Sequence, residues 1–170
     1  QELEHIVILE NALEIYWNKK RAFHTLKYVT SHYSIFDFLS GLGNYFGLRN
    51  DFHKHTLPEI YAHLFNYAVA EFPDDTMLHQ LIAVDYYLYH KIKPQVQFLL
   101  ELEKTARWEF IERLQLNHHK YRYALLPLDF NFEVYQLTGH IQHEKYLLII
   151  QFDGLNMPGI VYSKEMSVLQ

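Results

Sequence analysis

Thr76 to Pro94 reads TMLHQLIAVDYYLYHKIKP, and the fold class turns on this stretch. Leu78, Leu81, Ile82, Leu88 and Tyr89 recur at the three-and-four spacing of a helix with one apolar stripe. Asp85 stands in the middle of that stripe, where a leucine is expected. A lone buried carboxylate is costly, so a cation, a hydroxyl or water should meet it. Asp74 and Asp75 with Thr76 offer N-caps, and Pro94 is the stop signal.

Upstream the pattern stays helical. Leu3 to Trp17 reads as one helix with Ile6, Leu9, Leu13 and Tyr16 on one side, ended by Asn18, Lys19 and Lys20. A shorter helix is expected over 22–31. Ser34 with Asp37 marks the cap of a third, burying Ile35, Phe38, Leu39, Leu42 and Phe46. Residues 48–55 read as a polar loop. Thr56, Pro58 and Glu59 open a fourth helix with the stripe Leu57, Ile60, Tyr61, Leu64, Phe65 and Ala68, closed by Pro73.

Downstream, Pro94 suits the first position of a sixth helix reaching Leu116. Its inner face would be Leu99, Leu102, Ala106, Phe110 and Leu114, with Glu101, Glu103, Lys104, Glu112 and Arg113 in water. After Asn117 the period becomes two. Tyr121, Tyr123 and Leu125 form one alternating set, Phe130, Phe132 and Val134 a second, and Tyr146, Leu148, Ile150 and Phe152 a third before an Asp153-Gly154 turn. The fold class is therefore α+β, mainly α-helical with about six helices, followed by a small antiparallel β-sheet covered on one face. Residues 1–170 form a single domain, with a helical part over 1–117 and a β part over 118–170. A three-stranded sheet needs helices to bury its face.

Composition narrows the function. Fifteen basic against twenty acidic residues give a net charge of −5, so the chain lacks the overall charge of a nucleic-acid binder. Without cysteine it has no disulfide, no thiolate nucleophile and no ligand for an iron–sulfur cluster. No apolar run nears the roughly 20 residues that span a bilayer, and the expected setting is cytoplasmic. The chain opens on Gln1 directly in a helical pattern, which reads as a piece cut from a longer protein.

Twelve histidines invite a metal reading: His53 with His55, His118 with His119, and His140 with His143, helped by Asp129 or Glu144. No pair has the four-residue helical spacing of a zinc hydrolase, so solvated or hydrogen-bonded histidines are expected. Asp51-Phe52-His53-Lys54-His55-Thr56 approaches the Asp-x-His-x-x-Gly signature of a cobalt-ligating histidine but lacks the glycine, and no cobalt ligand is assigned. Asp85 beside Tyr86, Tyr87 and Tyr89 invites a proton-transfer reading, with a packing role the plainer expectation. Basic clusters stand at Lys19-Lys20-Arg21 and at His118-His119-Lys120-Tyr121-Arg122-Tyr123. The second interleaves aromatics with charge, and a solvated strand edge is expected there. No catalytic, cofactor-binding or metal residue is assigned.

Three stretches then read together. They are Leu13-Glu14-Ile15-Tyr16-Trp17-Asn18 with Phe23-His24-Thr25-Leu26-Lys27-Tyr28, Ile35-Phe36-Asp37-Phe38-Leu39 with Asn44-Tyr45-Phe46, and Leu81-Ile82-Ala83-Val84-Asp85-Tyr86-Tyr87-Leu88 closing on Lys93-Pro94. In this order and spacing the chain resembles the uncharacterised C-terminal domain of cobalamin-binding radical S-adenosylmethionine proteins, often labelled Fe–S oxidoreductases or anaerobic magnesium-protoporphyrin monomethyl ester oxidative cyclases. The resemblance implies an accessory domain, without activity of its own, that packs on or gates the catalytic domains. It also implies a 4Fe–4S cluster, S-adenosylmethionine and cobalamin in N-terminal domains of the same protein, which would be its partners. The cluster motif Cys-x-x-x-Cys-x-x-Cys is absent here, so no family residue carries over. Two alternatives are a free-standing histidine-metal enzyme and a protein-interaction module using a tyrosine-rich face.

Overall fold

A computed structural model describes residues 2–47, 55–95, 98 and 100–161. The chain forms two compact units, residues 1–86 and 87–170. The first is helical. It begins with α1 (Glu2–Ala12), which runs into a π-helical stretch over Leu13–Asn18 rather than ending as one α-helix at Trp17. The wider winding carries past the last π residue, where the Arg21 N–H donates to the Tyr16 carbonyl at 3.2 Å. Buried Tyr16 then reaches the Ile60 carbonyl at 2.7 Å. Ile6, expected inside, is 51% exposed, because α1 docks through Ile8. A Cβ on Gly43 would come within 2.6 Å of Ile8 Cγ2 and 2.8 Å of the Ile8 carbonyl, so only glycine admits this approach.

α2 (Phe23–His32) and α3 (Ile35–Gly47) follow, and α3 buries Phe38, Leu39, Leu42 and Phe46 as its spacing predicts. The Ser34 hydroxyl accepts from the Asp37 N–H at 3.3 Å. α4 (Leu57–Glu71) starts at Thr56, whose N–H and hydroxyl both donate to Glu59 Oε2. These bonds hold the Glu59 carboxyl below its ordinary value. α5 (Thr76–Tyr89) is capped by Asp75, whose Oδ1 accepts from the Leu78 N–H at 2.9 Å. It ends at Tyr89, five residues before Pro94.

In the second unit the expected sixth helix is shorter. α6 spans Lys104–Arg113, and the described part of 90–103 is not helical. Tertiary partners take the backbone donors that a helix would have used: the Phe98 N–H donates to the Tyr87 hydroxyl, and the Leu102 N–H to the Leu125 carbonyl. Glu101, expected in water, is 4% exposed; Leu99 lies outside the described residues.

The sheet has the order β1-β2-β3, from β1 (Arg122–Phe130), β2 (His143–Phe152) and β3 (Gly159–Val161), all antiparallel. Pro127 pairs with Leu147 on the edge strand β1, the place in a sheet that tolerates a missing N–H. Of the alternating set expected over 130–134, only Phe130 is in a strand, as the last residue of β1. The pairing shifts register between Leu128 and Phe130, and the chain turns into α7 (Phe132–Thr138). Asn131 Oδ1 caps α7 at the Val134 N–H, and Gly139, at φ 75°, ends it. Both faces of the sheet are buried, not one. Ile111 of α6 packs with Tyr123, Leu125, Leu147 and Ile149, while Ala124, Leu126, Leu148 and Ile150 are buried on the opposite parity.

Candidate functional site

Two buried carboxylates organise the units. Asp85, 3% exposed, sits against the N-terminus of α2, where Ala22 offers no side-chain cap. Its Oδ2 accepts from the Thr25 N–H at 2.8 Å and the Thr25 hydroxyl at 2.7 Å. Its Oδ1 accepts from the His24 N–H at 3.1 Å and lies 2.8 Å from His24 Nδ1. A helix three elements further along the chain, α5, thus supplies the missing N-cap, and the helix dipole favours the negative charge there. The partners are His24 and Thr25, not the neighbouring tyrosines. A His–Asp pair at this distance also orients general bases, but here the carboxylate is taken up by four donors, and Thr25 beside it is fully buried. The four contacts tie α5 to the first turn of α2.

Asp75 does similar work, accepting from the hydroxyls of Tyr28 and Tyr33 besides capping α5. Burial and the Asp75 carboxylate push the Tyr33 phenol up to about 12.

In the second unit Glu101 Oε1 binds Lys93 Nζ at 2.9 Å and Arg107 Nη1 at 2.8 Å, while Oε2 accepts from the Tyr87 hydroxyl at 2.8 Å. Two cations on one buried carboxylate leave a local excess of positive charge. Lys93 and Arg107 also line a cleft of about 480 Å³, together with Lys104, Trp108, Ile111, His118, His119, Tyr121, Arg122 and Tyr123. None of the lining residues is acidic. Arg122 Nη1 donates to the His118 carbonyl at 3.1 Å, which anchors one arm of its fork. Trp108, 45% exposed, stands edge-on to His118 with ring centroids 4.7 Å apart, and His118 and His119 lie 4.0 Å apart. Burial raises the Tyr123 phenol above its ordinary value.

The cluster His118 to Tyr123 was expected as a solvated strand edge; it forms the rim of this cleft, with Lys120 outside the lining. Lys93, Lys104, Arg107 and Trp108 join it in the lining, and no local motif in the sequence links them to it. Among the described residues the other histidines of the metal reading do not converge. His55 packs on Phe46 and His63, His140 is exposed, and His143 is the first residue of β2. Asp129 is paired with Lys145, and Glu144 with Asn131. Among the described residues no three histidine or carboxylate side chains come together as a metal site needs. Asp51 to Lys54, with the cobalt-type signature, lie outside the described residues. Among the described residues no helix is long and apolar enough to cross a membrane.

The class these features define is α+β: a helical unit held by a capping carboxylate, and a sheet unit carrying a cationic, ring-lined cleft. The chain belongs to the family described as "Protein of unknown function (DUF4080)", whose model matches residues 1–153. An uncharacterised domain covering most of the chain is what the three quoted stretches led one to expect. No curated protein and no solved structure matches the chain.

Proposed function

We propose that this is an accessory domain of a cytoplasmic cobalamin-binding radical S-adenosylmethionine protein, and that it acts by holding a charged group rather than by bond chemistry of its own. The parentage is supported by the quoted stretches, whose apolar members Tyr16, Leu26, Phe38, Leu39, Phe46, Leu81 and Ile82 are core residues. The single observation that carries the binding role is the cleft of the second unit. It presents four cationic side chains beside aromatic rings, with one carboxylate, Glu101, shared by Lys93 and Arg107, and such a surplus of positive charge binds and orients anions. In the parent protein the iron–sulfur cluster, S-adenosylmethionine and cobalamin belong to domains N-terminal to this one, which are its partners.

The reading frame of the gene tests the parentage. A continuous frame carrying Cys-x-x-x-Cys-x-x-Cys upstream, with iron and cobalt in the purified full-length product, is expected. A complete frame without that motif would overturn it.

The alternative of a tyrosine-rich docking face has little to stand on. Tyr16, Tyr28, Tyr61, Tyr67, Tyr86, Tyr87, Tyr123, Tyr135 and Tyr146 are buried, since each ring contributes more to a core than to a wet surface.

A further inference from the structure

We propose that the cleft of the second unit binds a small phosphorylated molecule carrying a planar ring, a mononucleotide in chemical class. This rests on reading the cleft as a binding site and names its ligand. The charge comes first. Lys93, Lys104, Arg107 and Arg122 line one cavity against the single carboxylate of Glu101, in a chain whose net charge is −5. Such concentration of one sign in a concave site focuses the field on an incoming anion. Lys104 and Arg122 have no carboxylate partner among the described residues, so their charge is not already neutralised.

Geometry comes second. The Arg107 guanidinium is clamped by Glu101, and that of Arg122 is anchored at one Nη1–H by the His118 carbonyl. Both are held before any ligand arrives, and preorganised guanidinium forks match phosphate oxygens in pairs. The rings come third. Trp108 and His118 stand at 69° to each other, so their exposed surfaces form a corner at which a flat ring can stack on one and meet the edge of the other. Size decides between ligands. A cavity of about 480 Å³ lies in the usual range for small molecules, about 300–1,000 Å³, and holds one nucleotide rather than a strand.

The chain has two tryptophans, Trp17 and Trp108. In a Trp17→Phe chain the emission reports Trp108 alone, while equilibrium dialysis with labelled AMP measures occupancy independently. Saturable AMP binding is expected, tighter than that of inorganic phosphate or adenosine, with a change in Trp108 emission. Lys104→Glu combined with Arg122→Glu should weaken AMP by about tenfold or more, with the far-UV spectrum and melting temperature kept. Trp108→Ala should weaken AMP and leave inorganic phosphate unchanged. Equal binding of AMP and inorganic phosphate would overturn the ring-bearing ligand while leaving an anion-holding cleft. No binding of either at millimolar ligand would overturn both. Tighter binding of a single-stranded oligonucleotide than of AMP would overturn the mononucleotide in favour of a strand. The reading frame bears on parentage alone, so each failure is distinguishable.

Discussion

Asp85 shows what one side chain settles. Placed in an apolar stripe, it announces that something polar must meet it, and four donors do so at the head of α2. Asp85→Ala removes the acceptor and leaves the backbone donors of His24 and Thr25 buried without it. The expected loss is about 2–4 kcal/mol, seen as a fall of several degrees in the melting temperature by circular dichroism. Asp85→Asn, which keeps one acceptor oxygen, should lose less. An unchanged melt for Asp85→Ala would refute the capping role. The need for a partner was legible from spacing; its identity was not, because His24 and Thr25 stand about sixty positions away in sequence.

At the scale of elements, glycine positions carry the sharpest test. Gly43→Ala puts a methyl against the side chain and carbonyl of Ile8, and backbone cannot swing aside as a side-chain tip can. α1 should lift from α3, with faster amide exchange over 2–12 and little change in α4 and α5. Unaltered exchange in α1 would refute the close contact. Elements were legible in the sequence where local signals were strong, as in the Thr56–Glu59 box of α4 and the stripe of α3. Legibility failed at α7, where alternation from Phe130 to Val134 outweighed the real signal: Asn131 just before the first turn and Gly139 just past the last. It failed again at 94–103, because Pro94 is a good helix start and the competing partners, Tyr87 and Leu125, belong to other elements.

Over the whole molecule, phenols in both units are held in the neutral form. Burial raises Tyr16, Tyr67 (to about 12) and Tyr123, and Asp75 adds to burial at Tyr33. A raised phenol contributes stability that is fully present below its unfolded value near 10 and lost as pH climbs through the folded value. The melting temperature should therefore hold level on approaching pH 10 and fall steeply between about pH 10 and 12. Tyr33→Phe, with no phenol to ionise, should soften part of that fall. Melts across this range check it, and a flat profile to pH 12 would refute the buried neutral phenols.

The amino-acid order by itself determined the α+β class, the capped starts of α3, α4 and α5, and the apolar stripes that fill the helical core. These rest on interactions within a few residues, where periodicity and capping act directly. Only the tertiary structure decided what Asp85 and Glu101 bind, why the chain leaves helix before α6, and that Lys93, Lys104, Arg107 and Trp108 share a cleft with His118 to Tyr123. The reason is physical: a buried charge can be satisfied from any part of the chain, and a cleft is made by residues that only folding brings side by side.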